Sequence, residues 1–269
     1  TFISRVLYTP PLSTSKAGIM VGDIITKVAD NDVQNSTPSV VSNLIKSTNG
    51  TTTIEVLRGG VYKTLEINVE KVSIPSVSSN NFDGVGYIKI TTFSNNTYEQ
   101  FKTALSSLEK ENIDSLVIDV RNNGGGFLNA AVDIAELFIE KGKNVYGLET
   151  KEKTEYYKDS TKESRKYKVG ILLNSASASA SEILAAALKE SYGATLLGLT
   201  SYGKGTVQET SELETGGMIK YTTAYWLTPN GNKINNVGLK PDVEITGDYN
   251  DDMDYESDTQ LLTAIKNMK

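Results

Sequence analysis

The chain has 269 residues, 38% of them hydrophobic and 22% charged, with a formal net charge of −6. This is a globular composition, long enough for one large domain plus a small one, and its acidic balance argues against nucleic acid as a partner. Cys and His are both absent, which excludes thiol peptidases, disulfide frameworks and the Ser-His-Asp triad, and removes the imidazole on which most catalytic zinc sites rely.

Residues 1–72 read as a small, mostly β unit. ISRVLYTP predicts a strand, and LSTSKAGI a short helix ended by Gly18. GDIITKVAD predicts a strand after a Gly-Asp turn. Ser36 to Lys46 carries Val40, Val41, Leu44 and Ile45 at helical spacing behind a Ser/Thr/Pro start. TTTIEVLRGGVYKTLEINVEKV predicts a hairpin turning at Gly59-Gly60. Residues 73–83, SIPSVSSNNFD, are rich in Ser, Pro and Asn and predict a linker.

Beyond residue 83 strands alternate with helices, the signature of a layered α/β core. GYIKI, SLVIDV, KVGILL and ATLLGL predict strands, the middle two as continuous apolar runs expected of buried strands. Thr97 to Lys110 is amphipathic, with Phe101, Leu105 and Leu108 on one face. NAAVDIAELFIEKG and SEILAAALKESYG predict helices ended by Gly142 and Gly193. GGMIKYTTAYWLT predicts a further β section, and DTQLLTAIKNMK a last helix starting near Asp258. Two charged stretches read as solvated loops. These are residues 151–168, where Lys and Arg alternate with Glu and Asp, and the acidic run Asp248–Asp254, which lacks calcium-loop spacing. No apolar run of about 18 residues spans a membrane. Thr1 opens inside a predicted strand with no initiator Met, so the chain reads as a fragment whose targeting segment is absent.

Three segments carry candidate chemistry. NSASASASE, residues 174–182, lies between a buried strand and an Ala-rich helix. A serine on such a turn presents its hydroxyl beside free helix-start amides, as an acyl-transfer nucleophile requires. Alone, the segment is better explained as a Ser-rich helix cap. A serine also needs a base, and without His the candidates are Lys, Asp, Glu or the terminal amine. Lys204 sits between two glycines in SYGKGTVQ, residues 201–208. Burial would tune a lysine down from its usual ~10.4 towards a useful base, and the Gln208 amide would orient the ammonium without adding charge. Alone, Lys204 is a turn lysine. DVRNNGGG, residues 119–126, follows a buried strand and precedes a helix. Its amides form a nest for an anion, here a tetrahedral oxyanion, or simply a tight turn. It lacks the phosphate-loop pattern.

Together, NSASASASEI and SYGKGTVQ resemble the carboxyl-terminal processing peptidases, also called tail-specific proteases. The resemblance makes Ser179 the nucleophile, Lys204 the base and Gln208 its assistant. It implies an oxyanion hole built from the amides of Gly125 and Ala180. DVRNNGGG is similar to the family's D-L-R-x-N-P-G-G loop, with Gly124 in the proline position. YWLTPNGNKINNVGLKPD is similar to its T-P-x-G-x-x-I…G-I-x-P-D segment. KAGIMVGDIITKV resembles the family's PDZ signature, so residues 1–72 are expected to be a PDZ domain truncated at its N-terminus, and residues 73–269 the catalytic domain.

The fold implied is α/β, a Clp protease/crotonase-like core with the PDZ appended. The function implied is a serine endopeptidase that cleaves proteins near apolar C-terminal tails through an ester intermediate, with the PDZ regulating access. It needs no metal and no cofactor and binds no nucleic acid. A bacterial, extracytoplasmic location is expected; a membrane-anchored parent and a homodimer are compatible with it. The competing expectation is a catalytically silent or latent peptidase-like protein acting as a peptide-binding module.

Overall fold

The computed structural model describes residues 17–69, 75–213, 217–250 and 255–269. The strand and short helix expected within residues 1–16 lie outside these, as do residues 251–254 of the acidic run. The chain divides into two compact units, Thr1–Ile74 and Pro75–Lys269.

Among the described residues the first unit is an antiparallel sheet ordered β2-β1-β3-β4, with one helix. Its elements are β1 (Ile24–Val28), β2 (Asn31–Asp32), α1 (Pro38–Ser47), β3 (Gly50–Arg58) and β4 (Val61–Val69). Ile25, Val28, Ile54, Val56 and Ile67 alternate along the strands and meet Val41 of α1 in a small core. Arg58 Nε donates to Asp23 Oδ1 at 2.6 Å and Arg58 Nη2 donates to Gly18 O at 2.7 Å, closing the turn before β1.

The second unit is built on a six-stranded sheet ordered β14-β11-β10-β7-β6-β5. Its strands are β5 (Val77–Phe82), β6 (Val85–Ile90), β7 (Ser115–Asp119), β10 (Lys168–Leu173), β11 (Thr195–Gly198) and β14 (Val243–Glu244). All neighbours are parallel except β5, which turns back on β6. The expected linker at 73–83 is therefore corrected: residues 77–82 are an edge strand, and the chain turns at Asp83-Gly84.

The period-2 geometry of the strands sorts their apolar residues to two faces. Ile88, Ile118, Ile171 and Leu196 face a core shared with α2 (Thr97–Lys110), α3 (Leu128–Glu136) and α4 (Ala180–Ala187). Tyr87, Val117, Leu172 and Leu197 face Leu261, Ala264 and Ile265 of α5 (Thr259–Met268). Both faces are covered, which is why these strands read as continuous apolar runs.

A second sheet in this unit is antiparallel, ordered β12-β13-β8-β9. It comprises β8 (Asn144–Glu149), β9 (Thr154–Lys158), β12 (Thr206–Glu212) and β13 (Met218–Leu227). The stretch 151–168 is thus not all loop: residues 154–158 pair with β8, although each is exposed.

Candidate active site

The parallel strands run to a common edge, and the loops after β7, β10 and β11 meet there, as ligand sites do in open α/β sheets. The loop after β10 carries the serine tract. Its four hydroxyls have different fates. Ser175 is exposed. Ser177 donates to Val120 O at 2.7 Å, and Ser181 donates to Asn123 O at 2.8 Å; both are buried. Ser179 is half-buried, and its hydroxyl donates to no group among the described residues. It sits at the N-cap of α4 with φ 58° and ψ −117°, a conformation L-residues rarely hold. The following residue, Ala180, starts the helix, where backbone amides lack intrahelical partners.

The strained serine is held by Glu182, one turn into α4. The Glu182 carboxylate, 1% exposed, takes four hydrogen bonds. Oε2 accepts from Ser179 N at 2.9 Å and Lys204 N at 2.9 Å; Oε1 accepts from Gly203 N at 2.7 Å and Ser201 Oγ at 2.6 Å. One buried anion therefore ties the backbones of both candidate loops together.

The loop after β11 carries Lys204. Trp226 Nε1 donates to the Lys204 carbonyl at 2.7 Å. Gly203, at φ +86°, and Gly205 are obligatory: a Cβ would stand 2.8 Å from Gly238 N in one case and 2.8 Å from Asn235 N in the other. The backbone is fixed, but the side chain is not buried as expected; Lys204 is exposed. No hydrogen bond joins it to Ser179 or to Gln208 among the described residues. Gln208 lies on β12, next to a pairing irregularity after Val207, and is also exposed.

The loop after β7 packs directly on the serine turn. A Cβ on Gly125 would stand 2.8 Å from Ser179 Cβ and 3.1 Å from Ala180 N. The Gly125 amide, expected to be free, instead donates to Asn123 Oδ1 at 2.9 Å. This loop is anchored from beneath by Arg121, which is 1% exposed. Arg121 Nη2 donates at 2.7 Å to Asp119 Oδ2 and at 2.7 Å to Asp258 Oδ2, the N-cap residue of α5. Tyr249 covers the guanidinium at 4.6 Å, and Asp119 accepts a 2.8 Å bond from the Tyr87 hydroxyl.

Ser179, Ala180, Gly126, Lys204 and Gln208 line one cavity of about 280 Å³. Its apolar wall is formed by Leu128, Tyr146, Leu148, Ile183, Val207 and Trp226. It contains no acidic side chain and two lysines, Lys204 and Lys220. The structure thus gathers Ser179, Ala180, Lys204 and Gln208 around one space and sets Gly125 immediately behind it. The expectations from sequence did not include Glu182, Asn123 or Arg121. Glu182 had a signal, since an acid three residues after a capping serine is the capping-box spacing. No group of three His, Cys, Asp or Glu fit to hold a metal exists among the described residues.

The sequence pattern of peptidase family S41 matches residues 84–245. A "probable CtpA-like serine protease" of Staphylococcus haemolyticus is 37% identical over 248 residues, covering 90% of this chain and 50% of that protein. Its counterpart in Staphylococcus aureus is 39% identical over the same length. The chain spans about half the length of these relatives. Among solved structures, a photosystem II D1 C-terminal processing protease superposes with a TM-score of 0.60 at 28% identity, over 87% of this chain and 67% of that one. An S41 protease from Bacteroides fragilis, at 16% identity and a TM-score of 0.60, shares the fold over 98% of this chain and 77% of its own.

Proposed function

The chain belongs to peptidase family S41, and from that premise we propose that it is a serine endopeptidase cutting proteins near their C-termini, with Ser179 as nucleophile and Lys204 as base. The observation that carries this reading is the fate of the hydroxyls. Of the four serines in the tract, Ser179 alone lines the cavity, with a hydroxyl that donates to no group among the described residues, beside a helix-start residue and a lysine. We read the core as Clp protease/crotonase-like and the first unit as PDZ, the latter on its KAGIMVGDIITKV signature and on the four-stranded sheet and helix α1 among its described residues.

Ser179 Oγ attacks the scissile carbonyl while Lys204 Nζ, as the free amine, takes its proton. The Ala180 amide and the glycine-loop amide assigned to Gly125 receive the oxyanion. The tetrahedral centre collapses to an ester on Ser179, and Lys204 returns the proton to the leaving amine. Water, deprotonated by the same lysine, then cleaves the ester. Gln208 orients the ammonium once Lys204 turns inward. The apolar wall suits an apolar residue at the cut, and two lysines without an acid favour a nearby chain-terminal carboxylate. We place the protein outside the cytoplasm on the family resemblance. No helix among the described residues is long and apolar enough to cross a membrane.

The test is cleavage of an unstructured protein with an apolar C-terminal tail by the wild type, Ser179→Ala and Lys204→Ala. Each variant is expected to lose at least about 10³-fold in kcat/KM with unchanged folding. Equal activity in all three would end this reading.

A second reading, a latent form of the same enzyme, is favoured by the exposed Lys204 and its lack of a bond to Ser179. It predicts that a tail peptide speeds fluorophosphonate labelling of Ser179. Labelling that is fast and indifferent to peptide would eliminate it.

A further inference from the structure

The glycine loop and the serine turn follow β7 and β10, which pair in one parallel ladder; beyond it Asn122 and Asn174 exchange bonds at the exposed side and Ser177 bonds Val120 O. Immediately around Gly125 and Ser179 the buried link is Asn123. This residue is fully buried, and all of its polar groups are committed. Nδ2 donates to Ile90 O at the end of β6 at 2.9 Å, and Oδ1 accepts from Gly125 N at 2.9 Å. Its amide donates to Val120 O at 3.2 Å, and its carbonyl accepts from Ala178 N at 3.0 Å and Ser181 Oγ at 2.8 Å. The amide orientation is dictated by the partners, since Ile90 offers only an acceptor and Gly125 only a donor. Asn123 therefore connects β6, the glycine loop and both flanks of Ser179. The space across that junction has no slack, because even a methyl on Gly125 would meet the Ser179 side chain at 2.8 Å.

We propose that Asn123 is a positioning residue for catalysis. It sets the separation between the glycine-loop amides and the Ser179–Ala180 segment, and its Oδ1 holds the Gly125 N–H that a developing oxyanion must take over. The proposal rests on the reading of Ser179 as nucleophile. The oxyanion competes with Asn123 Oδ1 for one proton donor, so the strength of that acceptor bears on the barrier. A carboxylate at this position would grip the amide harder, lose the tether to Ile90 and place a negative charge beside the oxyanion. An alanine would free the amide but release the loop.

The experiment measures kcat and KM per folded molecule for Asn123→Asp, Asn123→Ala and Asn123→Ser. It adds inhibition by a peptide aldehyde, whose adduct on Ser179 carries the oxyanion, and binding of the product peptide, which carries none. Folded fraction is taken from the thermal transition, and the serine variant serves if either of the others fails to fold. The expected result is a loss of about 10² in kcat for the alanine variant, the scale of one oxyanion donor. The aspartate variant should lose more and the serine variant less. KM and product binding should stay within about twofold, and aldehyde inhibition should weaken by the same factor as kcat. Wild-type kcat per folded molecule in every variant that folds would overturn the proposal. So would a kcat loss matched by equal weakening of product binding. Ser179→Ala is assayed alongside. An active Ser179→Ala would overturn the underlying reading and this proposal with it. An inactive one beside fully active Asn123 variants would overturn this proposal alone.

Discussion

The serine turn and the lysine loop are fixed to different depths. Around Ser179 the hydroxyls of Ser177 and Ser181, the amide of Ala178 and the amide of Ser179 itself are all bonded to buried partners. Around Lys204 the backbone is held as firmly, by Glu182 on one side and Trp226 on the other, yet the side chain is exposed and bonded to nothing among the described residues. The difference matches the tasks proposed for Ser179 and Lys204. A nucleophile must meet a carbonyl carbon along one trajectory, so strain in its backbone is held by its surroundings. A base that fetches a proton and returns it must reorient between steps, and a flexible four-carbon stem on an immobile loop allows that.

The comparison breaks most visibly at Arg121. Leaving Asp119 and Asp258 without their shared cation should cost about 3–5 kcal/mol. Arg121→Met should therefore lower the denaturant midpoint strongly, and a loss below ~1 kcal/mol would mean the serine side is not fixed from beneath. Glu182→Gln tests the link between the two loops. It puts an amide donor among four donors and should cost about 1–3 kcal/mol, seen as a 10- to 100-fold fall in kcat. Unchanged kcat would show that the two loops hold their relation without the buried anion. Lys220→Ala addresses the exposed side of the cavity, which this β13 residue lines together with Lys204. KM for a substrate with a free carboxylate should rise by up to about fivefold, with no change for an amidated tail, the range of an exposed charge pair. An equal rise for both would remove Lys220 from tail recognition.

The smallest effect is expected at Glu136, where α3 ends far from both loops. Burial, and then the neighbouring carboxylate of Asp159, hold the Glu136 carboxyl above its ordinary range. The folded state thus retains a proton that the unfolded state gives up. The associated stability is present below the usual glutamate pKa of ~4.3 and is lost as pH rises towards the raised folded value. Glu136→Gln should remove this dependence and gain up to ~1 kcal/mol at neutral pH. A variant less stable than wild type at pH 7 would contradict it.

The α/β core was legible because its strands are buried on both faces and its helices carry one apolar stripe; α2 runs over the residues its periodicity marks. Two edge strands were not. Within residues 77–82 the run Ser78–Asn81 is polar and only Val77 and Phe82 at its ends are apolar, and residues 154–158 are exposed throughout, so neither shows a hydrophobic rhythm. At the site, the small-residue contexts marked only candidates, the serine tract and Lys204; the family resemblance assigned Ser179 and Lys204 among them. The exposure of Lys204 could not be read, since it depends on the surfaces around it. Nor could the junction role of Asn123 or the clamp on Arg121, whose partners Ile90 and Asp258 lie 33 and 137 positions away.

That last separation has a consequence for how the protein is made. The acid that completes the hold on Arg121 begins the final helix and leaves the ribosome 137 residues after it. At ordinary synthesis rates of roughly 5–20 residues per second, this is a delay on the order of ten seconds. During that interval the loop behind Ser179 lacks one of the two counter-charges of Arg121. The nascent chain thus passes through a period in which the loops around Ser179 are unfinished, and the arrival of α5 sets the moment at which they can be assembled.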